Sequence, residues 1–329
     1  MFDLTILSPQ HPRLALYAFS FTAFLITIIL NKRAKLPRVG LALIFTIIFF
    51  SAFILKFYLL LGLVLAGLII AIGGTVDEKL SLSPGLQIIW QLAAILPVVS
   101  FGWSIPYITN PFGDGLIYLD QFSLGTWLIP GSLVAVVWLF LMINAINWLD
   151  GVDGLASGVS LVAFLVLAAI SLLPATQDSA TLALSLIGFS ALAAFLLFNW
   201  PPAKVYLGTS GSWFLGLYLG LAAFGGGKIA TTLLVLSLPI LDAIFVILQR
   251  LIKRRPPWRG GDQLHLHDRL RFLGFSSAQI TLIAIVFTSL LGIAALLLST
   301  SYKLLTIVIA AALLLIFIFA TIIRHEKSR

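Results

Sequence analysis

The chain has 329 residues, of which 60% are hydrophobic and 10% charged, with a mean hydropathy of +1.12. That balance excludes a soluble fold, and apolar runs of about 20 residues, each able to cross ~30 Å of hydrocarbon, recur along it. The formal charge of +8 fits the excess of Lys and Arg in short membrane-protein loops rather than a nucleic-acid surface, and the absence of Cys removes disulfide and thiolate chemistry.

The sequence predicts an all-α, polytopic bundle of about eleven transmembrane helices, forming a single domain over 1–329. The spans fall near 13–31, 40–55, 57–73, 86–102, 124–146, 156–173, 179–198, 212–224, 229–251, 278–299 and 304–323. The first run has no basic segment before it and no cleavage site after it, so it reads as a span rather than a signal peptide. With the N-terminus outside, Lys and Arg divide 16 to 4 between the two sets of loops and ends. The richer set includes Lys32, Arg38, Lys79, Lys204, Arg250 and Arg329; the poorer set is Arg13, Lys56, Lys228 and Lys303. The richer set, with the C-terminus, is then cytoplasmic. The longest external connection, 103–123, carries Asp114, Asp120 and the turn signal "NPFGDG".

The polar stretches fall on the cytoplasmic side. In "GGTVDEKLSLSP", Gly73 and Gly74 are expected to close a span, with Asp77 and Glu78 at its boundary. Adjacent carboxylates repel unless a cation or protons compensate, though two acids in a solvated loop would look the same. In "NAINWLDGVDGLASG", Asn144, Asn147 and Asp150 are spaced by three and share a helix face, followed by Asp153 between Gly151 and Gly154. Amide and carboxylate oxygens at an apolar helix end suit a hard cation such as Mg²⁺; capping and interhelical hydrogen bonds are the plainer reading.

In "FNWPPAKVYLGTSGSWFLG", Asn199 ends a span because Pro201–Pro202 forbid its continuation. Lys204 is an isolated base, and Gly208 and Gly211 allow exposed amides that could cradle phosphate. Asp242 lies within the ninth span, either as a functional carboxylate or in an interhelical hydrogen bond. In "RLIKRRPPWRGGDQLHLHDRLRFLG", the basic first half suits anionic lipid. His265, His267 and Arg269 suit a diphosphate better than zinc, for which two His and no Cys are too few.

Together, "VDE", "NAINWLDGVDGLA", "FNWPPAKVYLGTSGS" and "HLHDRL" resemble the motifs of the polyprenyl-phosphate N-acetylhexosamine-1-phosphate transferases, in matching order over about 30–275. The "HLHDRL" form is more similar to the branch using UDP-N-acetylglucosamine than to the branch using UDP-MurNAc-pentapeptide. The resemblance implies a multi-pass enzyme of the plasma membrane with a cytoplasmic active site. Such an enzyme moves a sugar-1-phosphate from a UDP-N-acetylhexosamine to undecaprenyl phosphate, with Mg²⁺ as cofactor, Mn²⁺ as an alternative, and a homodimer as a further expectation.

It also implies roles. Asp77 and Glu78 would position the lipid phosphate or orient metal-bound water. Asn147 and Asp150 would hold the metal, and Asp153 and Asn199 would orient the nucleotide. Asn144 joins the substrate-binding set, while Lys204, His265, His267 and Arg269 would face the diphosphate and uridine. The pattern departs at Glu78 and at Thr209, both Asp in the family; at Gln87, near a usual Lys; at Asp268, a usual His; and at Leu41, a usual Gly. Thr209 replaces a direct Mg²⁺ ligand, yet a hydroxyl remains a neutral ligand and the surrounding loop residues are kept. The expectation is therefore an active enzyme. A weakly active or silent member that binds lipid phosphate or nucleotide is the alternative, and a transporter a remote one.

Overall fold

The structure is a computed structural model that describes residues 17, 20–29, 38–110, 115–224, 228–256 and 265–327. The first expected span is described only over Tyr17 and Ser20–Ile29. Arg13, Lys32, Arg33, Lys35, Asp114, Arg259, Arg329 and the Gly-rich part of the basic segment lie outside the described residues.

The fold is an all-α bundle of an integral membrane protein. Its helices are α1 (Ser20–Ile29), α2 (Gly40–Ser51), α3 (Phe57–Leu80), α4 (Pro84–Ser100), α5 (Gly131–Leu149), α6 (Leu155–Leu172) and α7 (Ser179–Asn199). They continue as α8 (Gly208–Ala222), α9 (Ile229–Val235), α10 (Ser237–Ile252), α11 (Leu266–Phe272), α12 (Ser277–Leu297) and α13 (Thr300–Lys327). Among the described residues, six helices are long and apolar enough to cross a membrane, or seven if α9 and α10 count as one bent span. Helices α1, α2 and α4 are shorter apolar segments.

Helix α8 is the centre of the bundle. It packs against α5, α3, α2, α7 and α6, and it is buried from Ser210 to Ala222. Glycines permit this closeness. A Cβ at Gly216 would meet the α5 backbone at Ile143 Cα, 2.6 Å away, and one at Gly40 would meet Gly211 N at 2.6 Å. Around this axis, α6 packs with α7 and α12, while α13 covers α9 and α10.

Three expectations are corrected. Gly73 and Gly74 do not close a span: α3 runs through both to Leu80, because both are buried contacts, Gly73 against the Trp90 ring and Gly74 against Ser210. Asp77 and Glu78 therefore sit on the last helical turn, which ends at Ser81 in the left-handed conformation (φ 49°). The fifth span starts at Gly131 rather than 124. The stretch before it forms two antiparallel hairpins, β1 (Tyr107–Thr109) with β2 (Leu116–Tyr118) and β3 (Phe122–Leu124) with β4 (Trp127–Ile129). Gly125, at φ +62°, turns the second hairpin, a position that aromatic and apolar neighbours disguised as part of a helix. The ninth span is broken into α9 and α10 by a 73° bend at Leu236. Pro239 accounts for the break, since its ring has no N–H and would clash with the carbonyl four residues back, at Val235.

Candidate functional site

A cavity of about 1020 Å³ opens at the bundle end formed by the start of α2, the end of α3, the start of α4, the end of α5 and the N-terminus of α8. Asp77, Glu78, Asn147, Asp150, Gly208 and Thr209 line it, together with Arg38, Gln87 and Tyr206.

Two of its carboxylates are held through both oxygens. Asp77 Oδ1 accepts from Gln87 Nε2 (2.8 Å) and the Leu82 amide (3.1 Å), and its Oδ2 accepts from Thr209 Oγ1 (2.9 Å). Glu78 Oε1 accepts from the amide and hydroxyl of Ser210, both at 3.2 Å, while Oε2 meets Arg38 Nη1 at 3.3 Å. The Ser210 amide is one of the unpaired donors at the start of α8, so Glu78 places negative charge where the helix dipole favours it. Glycine at position 208 leaves room for the Glu carboxylate where it now lies. Gly208 adopts φ +72°, and a Cβ there would collide with Glu78 Oε1.

Asp150 differs. It caps the C-terminus of α5, and its side chain has no hydrogen-bond partner among the described residues. Burial, then the charges of Glu78 and Asp153, push its pKa up to about 8. Asn147, one turn earlier, lines the same cavity and accepts from Ser212 Oγ at 3.0 Å. Among the described residues, no three His, Asp or Glu side chains converge into a metal cage. What the cavity offers is an oxygen-only set, Asp150, Asn147, Asp77 and the Thr209 hydroxyl, around an uncompensated carboxylate. That set fits Mg²⁺, which keeps several waters and takes one or two carboxylates plus substrate phosphates.

The other expected site residues lie beside the cavity rather than in its walls. Asn144 is bound to Gln91 (Nδ2 to Oε1, 2.8 Å) and to its own helix at Phe140 O (2.8 Å), joining α5 to α4. Asn199 Oδ1 accepts from the Gly154 amide (3.1 Å) and Ser157 Oγ (2.8 Å), and its Nδ2 donates to Val205 O (2.9 Å). Asp153 Oδ2 accepts from the Ala203 amide at 3.0 Å. These bonds fasten the 150–154 turn to the 200–207 loop. Lys204 is exposed on that loop.

His265, His267 and Arg269 form a flank behind the same turn. Asp242 accepts from His265 Nδ1 (2.8 Å) and the Leu266 amide (2.7 Å), which docks α11 on α10. The two imidazoles stack, with centroids 5.6 Å apart, and His265 also packs near Trp148 at 6.3 Å. His267 Nε2 lies 3.1 Å from where a Gly151 Cβ would be, and burial holds its imidazole below the ordinary pKa. Arg269 donates to Gln249 Oε1 at 2.9 Å. Sequence reasoning left Arg38, Ser81, Leu82 and Tyr206 without a place at the cavity, and Ser210 and Ser212 without their bonds to Glu78 and Asn147. Only Arg38, a base two residues from a helix start, carried a signal that could have found it.

The bundle and cavity define a polytopic helical membrane protein with an acidic, oxygen-lined site at one end. Residues 60–226, from α3 through α8, match the family model described as Glycosyl transferase family 4, and the chain belongs to that family. It is 30% identical over 240 residues to a "Probable undecaprenyl-phosphate N-acetylglucosaminyl 1-phosphate transferase" of Bacillus subtilis, covering 71% of this chain and 64% of that one. It is also 30% identical over 259 residues to a "Decaprenyl-phosphate N-acetylglucosaminephosphotransferase" of Mycolicibacterium smegmatis, covering 70% and 61%. A "Phospho-N-acetylmuramoyl-pentapeptide-transferase" of Caldicellulosiruptor bescii is 33% identical over 154 residues, 47% of this chain and 48% of that one. The match thus spans a little under two thirds of the length of the first two relatives.

Proposed function

We propose that this protein transfers N-acetylhexosamine-1-phosphate, with GlcNAc-1-phosphate as the preferred group, from a UDP-sugar to undecaprenyl phosphate at the cytoplasmic face of the plasma membrane. The observation that carries this reading is the cavity in which three carboxylates, an Asn and the N-terminus of α8 meet at one end of a membrane bundle. Family membership and the names of the relatives in Bacillus and Mycolicibacterium support it over a transporter.

The reaction joins two phosphates. A non-bridging oxygen of the lipid phosphate attacks the sugar-linked phosphorus of the donor. The bond to the bridging oxygen breaks, and UMP leaves with that electron pair. The acceptor is mostly dianionic near pH 7, so no general base is required, and alignment and charge neutralisation dominate. Mg²⁺, when bound, supplies that neutralisation, and Asp150 and Asn147 would hold it, with Thr209 as a neutral ligand. Gln87 and Thr209 fix the rotamer of Asp77. Glu78 holds the start of α8 against α3, keeping the Gly208–Thr209 turn in the cavity wall. His265, His267 and Arg269 would reach the donor from behind the 150–154 turn.

The charge split supports eleven spans with the N-terminus outside and the cavity facing the cytoplasm. A homodimer belongs to the same reading. The test is UMP release from a panel of UDP-sugars by purified protein with undecaprenyl phosphate and Mg²⁺. Release with UDP-GlcNAc is expected; no release with any sugar would favour a silent family member.

A further inference from the structure

Asp242 is a carboxylate on α10 that is only 7% exposed. It faces a small second cavity walled by Leu149, Leu155, Pro239 and Leu270, where His267 is the other polar side chain among the described lining residues. Both of its oxygens are taken up by the start of α11, Oδ2 by His265 Nδ1 at 2.8 Å and Oδ1 by the Leu266 amide at 2.7 Å. A buried carboxylate needs such partners, but docking α11 does not itself need a carboxylate. Leu266 and Leu270 also pack into the apolar cavity wall, and Arg269 donates to Gln249 Oε1 at 2.9 Å.

What a carboxylate adds is control of a hydrogen. An Asn at this position could still accept from the Leu266 amide, but its N–H would then face the His265 ring. A carboxylate offers acceptors alone, so the hydrogen between it and the ring sits on Nδ1. Arg269, one turn along α11, is a cation within electrostatic reach of the same carboxylate. Nε2, on the opposite edge of the ring, is left for a ligand. The plane of the ring is set as well: it stacks on His267, with centroids 5.6 Å and planes 2° apart, and packs near Trp148 at 6.3 Å. Trp148 follows the cavity-lining Asn147 on α5, so the stack adjoins the wall of the larger cavity.

We infer that Asp242 is a positioning residue for the transfer. It keeps a hydrogen on His265 Nδ1, presents Nε2 to the phosphates of the UDP-sugar, and balances the charge when Nε2 carries the proton that a phosphate oxygen accepts. The inference rests on the reading that His265 meets a UDP-sugar. Its first readout needs neither ligand nor turnover, so the two can fail separately. The chain has four His, few enough for solid-state NMR of the purified full chain labelled with ¹⁵N-histidine. The His265 signals are assigned by their loss in His265→Gln.

At about pH 8, above the ordinary imidazole range, wild-type His265 is expected to carry a hydrogen on Nδ1. Asp242→Asn keeps the shape and the Leu266 bond, and is expected to leave Nδ1 bare and move the hydrogen to Nε2. It is also expected to weaken UDP, measured with Mg²⁺ present, about fivefold or more, because a charge-backed hydrogen bond is about twice as strong as a neutral one. The Asp242→Asn/His265→Gln double variant is expected to bind UDP no more weakly than His265→Gln alone, since the two residues act as one unit. Three results overturn the role: a bare Nδ1 in the wild-type chain, which decides the matter even if Asp242→Asn does not fold; a hydrogen that stays on Nδ1 in Asp242→Asn; or unchanged UDP binding beside a lowered melting temperature, which makes Asp242 a structural anchor alone. A wild-type chain that binds UDP through this pair but releases no UMP from any UDP-sugar removes the proposed function and leaves the role of Asp242 standing.

Discussion

At the scale of single residues, the hydrogen bond between Thr209 and Asp77 changes what position 209 means. A carboxylate there would face Asp77 at about the distance of the present 2.9 Å bond, and two unprotonated carboxylates that close need a cation between them. A hydroxyl makes the contact attractive without one. Thr209→Asp is therefore expected to lower the Mg²⁺ concentration for half-maximal activity about tenfold or more, since one added charge near a divalent ion is worth at least about 1.4 kcal/mol. An unchanged requirement would place residue 209 away from the metal.

Asp150 gives a pH prediction. Its pKa in the folded protein, about 8, lies above the ordinary carboxylate value, so the folded state binds the proton more tightly than the unfolded state does. Its contribution to stability is complete below about pH 4 and is lost as pH rises towards 8. A divalent cation beside it offsets that loss. The rise in melting temperature on adding Mg²⁺ should therefore grow between pH 6 and pH 9, and Asp150→Asn should flatten the trend.

At the scale of elements, Asn199 ties the end of α7 to the start of α6 and to the 200–207 loop through three hydrogen bonds. Asn199→Ala strands the Gly154 amide and the Val205 carbonyl, at a cost on the order of 3 kcal/mol. Thermal unfolding in detergent should show a marked loss of stability; weakened UDP binding at unchanged stability would instead place Asn199 on the nucleotide. The same scale shows what the sequence could reveal. Charged residues in so apolar a chain announce themselves, so Asp77, Glu78 and Asp150 stand out, and Pro239 marks a break that the count of about eleven spans passes over. The partners that give those residues their meaning do not stand out. Gln87 and Ser210 are ordinary polar residues until α4 and α8 are packed on α3, and contacts such as Glu78–Ser210, 132 positions apart, leave no periodic trace. Gly73 and Gly74 misled for a related reason: a glycine needed for close helix packing looks the same in sequence as one that ends a helix.

At the scale of the whole molecule, the orientation is directly testable, because the chain has no Cys to create background. Gly85, at the start of α4 on the cavity end, has open space around it, and Gln121 lies exposed between the hairpins. In intact cells a membrane-impermeant maleimide should label Gln121→Cys and reach Gly85→Cys only after permeabilisation; the opposite pattern would invert the topology. The central helix carries a different consequence. With 15 residues, α8 spans only about 22 Å, short of the ~30 Å of hydrocarbon that outer helices must match. Because protein rather than lipid surrounds it, α8 is exempt from hydrophobic mismatch. A thicker or thinner bilayer tilts and strains the rim, while the floor of the cavity, set by the N-terminus of α8, keeps its depth.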